Sequence, residues 1–350
     1  MPKAPHRTAT LAAIHCRTRA TIAAVAGLAL VAAGAWSLAA RQAAAADKTE
    51  ARPKIIAVSG PLFDPFFSAL KKGIDDGAKA FDVDVQYVTV TDTNNIMADF
   101  AHLLQQSVSR HPAAIAVGDF FPDALDPIIR KATAEGIAVV FHNSGLGAWK
   151  QDGALGYVGE DATQMGADAG REEAAAGVRH GLCVNQVPGN PALEQRCAGF
   201  AAGIQAKGGT AKVLTIPISQ GNNPTEVLQA IKGALQSDKT IDGIFTLGSA
   251  IAIDAVNAVK QVGRADKITI GTTDLSNADL EAVQNGEILF VIDQQPYLQG
   301  FDSIQIAAQY LRYGLHPVNP VITGPLLITK QNVADVLRIN KQYLGIRGAS

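Results

Sequence analysis

The amino-acid sequence describes an α/β protein of two doubly wound lobes, with a ligand cleft where the lobes face each other. Three observations lead there. Short β-type apolar runs alternate with amphipathic stretches of 10–17 residues, the pattern of strands each followed by a helix. Within the runs the apolar residues are continuous, as strands buried on both faces of a parallel sheet require. The alternation starts afresh after about residue 157, so about 300 residues hold two such series.

Lys54-Ile55-Ile56-Ala57-Val58-Ser59 predicts the first strand, stopped by Gly60-Pro61. Phe66, Phe67, Leu70, Ile74 and Ala78 fall at helical spacing and predict a helix over 65–80. Strands over 83–90, 113–117 and 137–141 and helices over 95–109 and 122–134 complete the first series. In the second, Asp161 can cap a helix at 162–176. Strands at 181–187, 211–216, 243–247, 268–271 and 288–293 then alternate with helices at 192–206, 224–236, 250–262 and 276–285. A helix at 297–312 can return to the first lobe, and the Pro-rich tail 316–330 can close the second. The expected lobes are 47–157 plus 294–316 and 158–293 plus 317–350.

Composition narrows the function. Hydrophobic residues make up 47% and charged residues 18%, which excludes a disordered chain. Residues 1–46 carry five basic residues and no acid; the other 304 carry 25 basic against 32 acidic residues, a net charge of −7. An acidic body has no non-specific attraction for nucleic acid. The basic Arg17 and Arg19, the apolar run over about 20–40 and the small residues Ala43-Ala44-Ala45-Ala46 are the three parts of an export signal, cleaved after about Ala46. An uncleaved anchor is the alternative, because the run is long.

Export puts Cys183 and Cys197 in an oxidising compartment. They sit at similar heights, about 13 Å down a strand and about 9 Å down the next helix. Helix and sheet layers lie about 10 Å apart, while a disulfide wants Cα atoms within about 7 Å. A bridge and two buried thiols both remain open.

Catalytic signatures are absent: no phosphate loop, no G-x-S-x-G turn and no H-E-x-x-H. Gly145-Leu146-Gly147 lacks the third glycine of a dinucleotide turn, with Lys150 in its place. The histidines have no ligand spacing; His142, at a strand end, can line the cleft. No catalysis, metal or cofactor is expected.

Open α/β sheets bind ligands beyond the carboxyl ends of their strands. The loops there carry Asp64-Pro65-Phe66-Phe67, Phe120-Phe121, His142-Asn143-Ser144, Asn190, Glu194, Asp274 and Gln294-Gln295. One of Phe66 and Phe67 goes to the core and the other faces the cleft. Such a mixture of apolar walls and convergent polar groups suits a small, uncharged, hydroxyl-rich ligand. The polar residues also suit caps and turns, as Asp64, Asn190 and Asp274 do.

These residues resemble the periplasmic sugar-binding proteins of the ribose-binding, type I family. The resemblance runs through Ile55-Ile56-Ala57-Val58, Asp64-Pro65-Phe66-Phe67, Tyr157-Val158-Gly159-Glu160-Asp161, Pro188-Gly189-Asn190, Gly271-Thr272-Thr273-Asp274 and Ile292-Asp293-Gln294-Gln295-Pro296, covering about 54–330. It implies two Rossmann-like lobes joined by three hinge crossings, near 157–160, 291–295 and 315–320. It also implies a periplasmic receptor that closes on a monosaccharide or polyol and presents it to the membrane permease of an ABC transporter. The alternative is a sensor that signals through a chemoreceptor or sensor kinase. Carried over by position, Asp64, Phe66 and Phe67 contact and stack on the ring, Asn143 and Asp274 take its hydroxyls, and Gln294 reaches it from the hinge. Phe120, Asn190 and Glu194 complete the expected lining. Ser144 and Glu194 stand where ribose binders carry arginines and Gly248 where they carry an asparagine, so a ligand other than ribose is expected. Repressors sharing this core need a DNA-reading helix-turn-helix where this chain has an export signal.

Overall fold

A computed structural model describes residues 51–91 and 95–348. The expected export segment over 1–46 lies outside the described residues. The first sheet is wholly parallel, in the order β11-β5-β4-β3-β1-β2. Its strands are β1 (Lys54–Val58), β2 (Asp84–Val88), β3 (Ala114–Val117), β4 (Ala138–Asn143), β5 (Gly156–Glu160) and β11 (Val321–Gly324). The second repeats the order as β12-β10-β9-β8-β6-β7, from β6 (His180–Asn185), β7 (Thr210–Thr215), β8 (Gly243–Thr246), β9 (Thr269–Thr273), β10 (Phe290–Asp293) and β12 (Leu326–Thr329). Only β12 runs antiparallel, against β10.

Helices cover both faces of each sheet, which is why the central strands are apolar throughout. In lobe one, α1 (Pro65–Phe81) and α9 (Pro296–Tyr313) bury Phe66, Leu70, Ile74, Ile304 and Ala307 on one face. On the other, α2 (Ile96–Ser109) and α3 (Pro122–Ala134) bury Phe100, Leu104, Leu125 and Ile129. In lobe two, α4 (Ala162–Ala175) and α5 (Pro191–Gln205) cover one face. The opposite face is covered by α6 (Pro224–Ser237), α7 (Ser249–Gln261), α8 (Asn277–Asn285) and α10 (Val333–Gln342).

The helices that follow β1 and β6 start alike. Asp64 accepts the Phe66 N–H at 2.9 Å and Asn190 the Ala192 N–H at 3.0 Å, each with proline next in sequence. An Asx cap satisfies an orphan amide, and proline at the first helical position gives up one that would be unpaired anyway. Helices α4 and α5 pack closely because of glycine: a methyl group on Gly166 would stand 2.0 Å from the Arg196 carbonyl oxygen.

Sheet pairing corrects the expected lobe boundaries. Strand β5 lies within the first sheet, between β4 and β11, so the first crossing comes after Glu160 rather than at 157. Helix α9 does return to lobe one. Strand β11 also stays in the first sheet, beside β5, and the third crossing falls at the cis Gly324–Pro325 bond rather than at 316. Neither β5 nor β11 stood out as a strand in the sequence, because Gly156 and Gly159 punctuate the first and Pro320 and Pro325 bound the four residues of the second. The crossings are stitched together: the Thr323 hydroxyl lies 2.8 Å from the Gln294 carbonyl oxygen and 3.3 Å from that of Gly159. Cys183 on β6 and Cys197 on α5 form a disulfide with Cα atoms 5.6 Å apart, which settles the question left open above. No helix among the described residues is long and apolar enough to cross a membrane.

Candidate functional site

Between the carboxyl ends of the two sheets lies a cavity of about 130 Å³, walled by residues of both lobes and of the hinge. Lobe one contributes an aromatic wall. Phe66 meets Phe67 edge-on at 5.0 Å between ring centres, Phe67 meets Phe120 at 5.8 Å, and Phe120 meets Phe100 at 5.2 Å. Edge-to-face contacts of this kind hold rings in fixed orientations. Phe66 is 5% exposed and belongs to the lobe-one core, while Phe67 is half-buried and spans both core layers. Room for its ring comes from Gly60, where a methyl group would stand 2.2 Å from Phe67 Cε2.

The polar wall converges on one glutamine. Asn143 Nδ2 donates to Gln294 Oε1 at 3.1 Å, and Gln294 Nε2 donates to Asp274 Oδ1 at 2.5 Å. The chain thus joins lobe one, hinge and lobe two. Asn143 and Asp274 occupy matching places, at the ends of β4 and β9, and both adopt left-handed backbone with φ of 62° and 69°. That conformation costs a non-glycine residue energy, and such strain clusters at binding sites. It aims both side chains back across the strand ends. Tyr157 fixes the first of them, its hydroxyl lying 2.7 Å from the carbonyl oxygen of Asn143 and 2.9 Å from that of Glu160.

Arg196 completes the wall from α5. Its Nε and Nη2 donate to Glu160 Oε1 at 2.7 and 2.5 Å, and the side chains are 3% and 0% exposed. A buried guanidinium needs such a partner, and the pair spans the first crossing. Gln186 lies on the same wall with a buried Oε1 that has no partner.

Electrostatics follow from burial. The Asp274 carboxyl is pushed up to about 8 mainly by desolvation; Arg196 and Gln294 pull it down, and the charges of Asp64 and Glu160 push it further up. Asp64 is raised to about 6 by desolvation, which its Phe66 N–H bond opposes. For both carboxyls desolvation outweighs the hydrogen bond each accepts, from the Phe66 N–H and from Gln294 Nε2.

Of the expected residues, Asp64, Phe66, Phe67, Phe120, Asn143, Asn190, Asp274 and Gln294 all line this cavity. Asp64 and Asn190 are caps as well as lining, so the two readings coincide. Glu194 is a correction: it is exposed, and its Oε1 accepts the Gly189 N–H at 2.9 Å, away from the cavity. His142 also turns away, buried with Nε2 2.9 Å from Ser59 Oγ and pushed down to about 3 by burial, hence neutral. Arg196 and Gln186 went unassigned in the sequence. A signal for Arg196 existed: Phe67 follows its cap by three residues, Leu193 follows Asn190 by three, and Arg196 is three further along that face, whereas Glu194 is a quarter-turn off it. Among the described residues no group of three or more His, Cys, Asp or Glu could hold a metal ion.

Residues 56–315 match the family model described as periplasmic binding protein domain. The xylose/arabinose-binding protein XylF of Sulfolobus acidocaldarius is 26% identical over 304 residues, covering 81% of this chain and 73% of that protein. The D-ribose/D-allose-binding protein of Pseudomonas aeruginosa is 26% identical, covering 75% of this chain and 84% of that one. Among solved structures, a carbohydrate transporter from Acidothermus cellulolyticus 11B in complex with myo-inositol superposes with a TM-score of 0.76 at 33% identity, over 85% of this chain and 100% of that one.

Proposed function

The chain belongs to the periplasmic binding protein domain family, and from that premise we propose that it captures an uncharged, hydroxyl-rich ring between its lobes. The ring is a monosaccharide or a cyclitol, and the closed protein hands it to the membrane permease of an ABC importer. The observation that carries this reading is the make-up of the cavity. One wall is phenylalanine from lobe one, and the other is a chain of amide and carboxyl groups drawn from lobe one, hinge and lobe two. The flat apolar face of a ring suits the first wall, and its rim of hydroxyls suits the second.

Each buried polar group left unpaired costs about 1–3 kcal/mol, so hydroxyls that satisfy Gln186, Asp64 and Asp274 select for stereochemistry. A micromolar receptor needs about 8 kcal/mol in all. Ligand that touches both lobes only when they are closed shifts the hinge by that differential affinity. The relative solved with myo-inositol, at 33% identity, supports a six-membered polyhydroxylated ring. The basic, apolar and small-residue run over 1–46 supports delivery to the periplasm.

The test is a thermal-shift screen of residues 47–350 against cyclitols, hexoses, pentoses and linear polyols. The protein is first unfolded and refolded without reductant, which strips carried-over ligand and spares the disulfide. A rise in midpoint confined to one stereochemical series supports the proposal. A flat response across the panel overturns the ligand class.

A further inference from the structure

The end of the described chain returns to the hinge. Helix α10 belongs to lobe two, where Val333 and Val336 share a core with Ile328. Beyond Gln342 the chain leaves Tyr343 and Leu344 in solvent, then turns at left-handed Gly345. Arg347 comes back to lay its guanidinium on Asp293, with Nε 2.7 Å and Nη2 2.6 Å from the same oxygen, Oδ2. The Asp293 side chain is 1% exposed. Its other oxygen, Oδ1, accepts the Gln295 N–H at 2.7 Å, and Gln295 has a left-handed backbone with φ of 56°. Between those two residues stands Gln294, the residue that joins Asn143 to Asp274. Gly348 is buried against lobe one: a methyl group there would stand 3.6 Å from Phe66 Cα and from the Pro65 carbonyl oxygen.

We propose that residues 343–348 form a strap that belongs to the ligand site, in which Arg347 is a positioning residue for Gln294. Arg347 pins the carboxylate of Asp293, Asp293 fixes the turn at Gln295, and the turn presents Gln294 to both lobes. The end of the strap ties lobe two to the Asp64–Phe66 turn, so it favours the arrangement in which the lobes face each other closely. This rests on the hinge-closing reading above. Without Arg347, Asp293 becomes a buried carboxylate with no cation, and the turn loses its anchor.

The test compares the mature chain with a variant ending at Gln342 and with Arg347→Ala. Spin labels at Lys131→Cys and Lys239→Cys report the distance between the lobes with no ligand added; the native cysteines are bonded to each other and do not take label. Both variants are expected to give longer and broader distances, and Arg347→Lys to restore much of the parent distribution. With myo-inositol as probe, dissociation from both variants should be faster by about tenfold. Unchanged ligand-free distances in both variants overturn the strap, and a change in the truncated chain alone overturns the role of Arg347. Failure of every form to bind myo-inositol would count against the proposed ligand, while the ligand-free distances still decide the strap.

Discussion

Asp274 carries the clearest cost at the scale of single residues. Its carboxyl sits at about 8 in the folded protein against an ordinary value of 3.8, because burial disfavours the charge. The folded state therefore holds a proton that the unfolded chain releases, and stability falls as pH rises from about 4 through about 8. Asp64 adds the same trend up to about 6. The thermal midpoint of the ligand-free protein should fall between pH 5 and 9, and Asp274→Asn should flatten the upper part of that fall. Ring hydroxyls that donate to the carboxylate offset the cost, so affinity should rise with pH over the same range in the parent and be flat above about pH 6, where Asp64 is already charged, in Asp274→Asn. A parent affinity independent of pH would remove Asp274 from the ligand. The two neighbouring phenylalanines divide their work. Phe66 is core, so Phe66→Ala should cost about 3–5 kcal/mol in urea unfolding. Phe67 is half-buried on the cavity wall, so Phe67→Ala should weaken ligand binding by about tenfold or more, the equivalent of about 1.4 kcal/mol, with the smaller loss of stability. Equal and small effects on both would refute ring stacking.

Among the elements, α5 does most to build the site from lobe two. Its start is set by the Asn190 cap and Pro191, its distance from α4 by Gly166, and its hold on β6 by the disulfide. The bond closes a sequence separation of 14 residues, and a loop of that size restrains the unfolded chain by about 3 kcal/mol. The double variant Cys183→Ala, Cys197→Ala should lose about that much in urea unfolding and keep its ligand affinity, since neither cysteine lines the cavity. Unaltered stability would mean that packing of Phe200 and Phe245 around the bond already fixes the helix.

Across the whole molecule, the hinge turns two sheets into one receptor. Strand β5 ends lobe one and leads into α4, β10 ends in lobe two and leads into α9, and β11 and β12 divide one short segment between the two sheets. The groups that meet in the cavity lie far apart in sequence, such as Asn143 and Gln294, separated by 151 residues. Only folding brings these groups together, through three short crossings between the sheets.

Much of this was legible from residues alone. Alternating runs, Asx-Pro caps and helical apolar spacing are properties of neighbours in sequence, and they determined most of the elements, the two-lobed plan and most of the cavity lining. Asp64, Asn143, Asn190, Asp274 and Gln294 could be named because strand ends and helix starts mark where ligands meet an open sheet. Tertiary structure alone decided that β5 and β11 pair in lobe one, that Cys183 and Cys197 are bonded, and that Arg347 reaches the hinge. The reason is physical. Local pattern fixes which face of an element is apolar, but partner strand, helix rotation and the target of a long side chain depend on packing between residues distant in the chain.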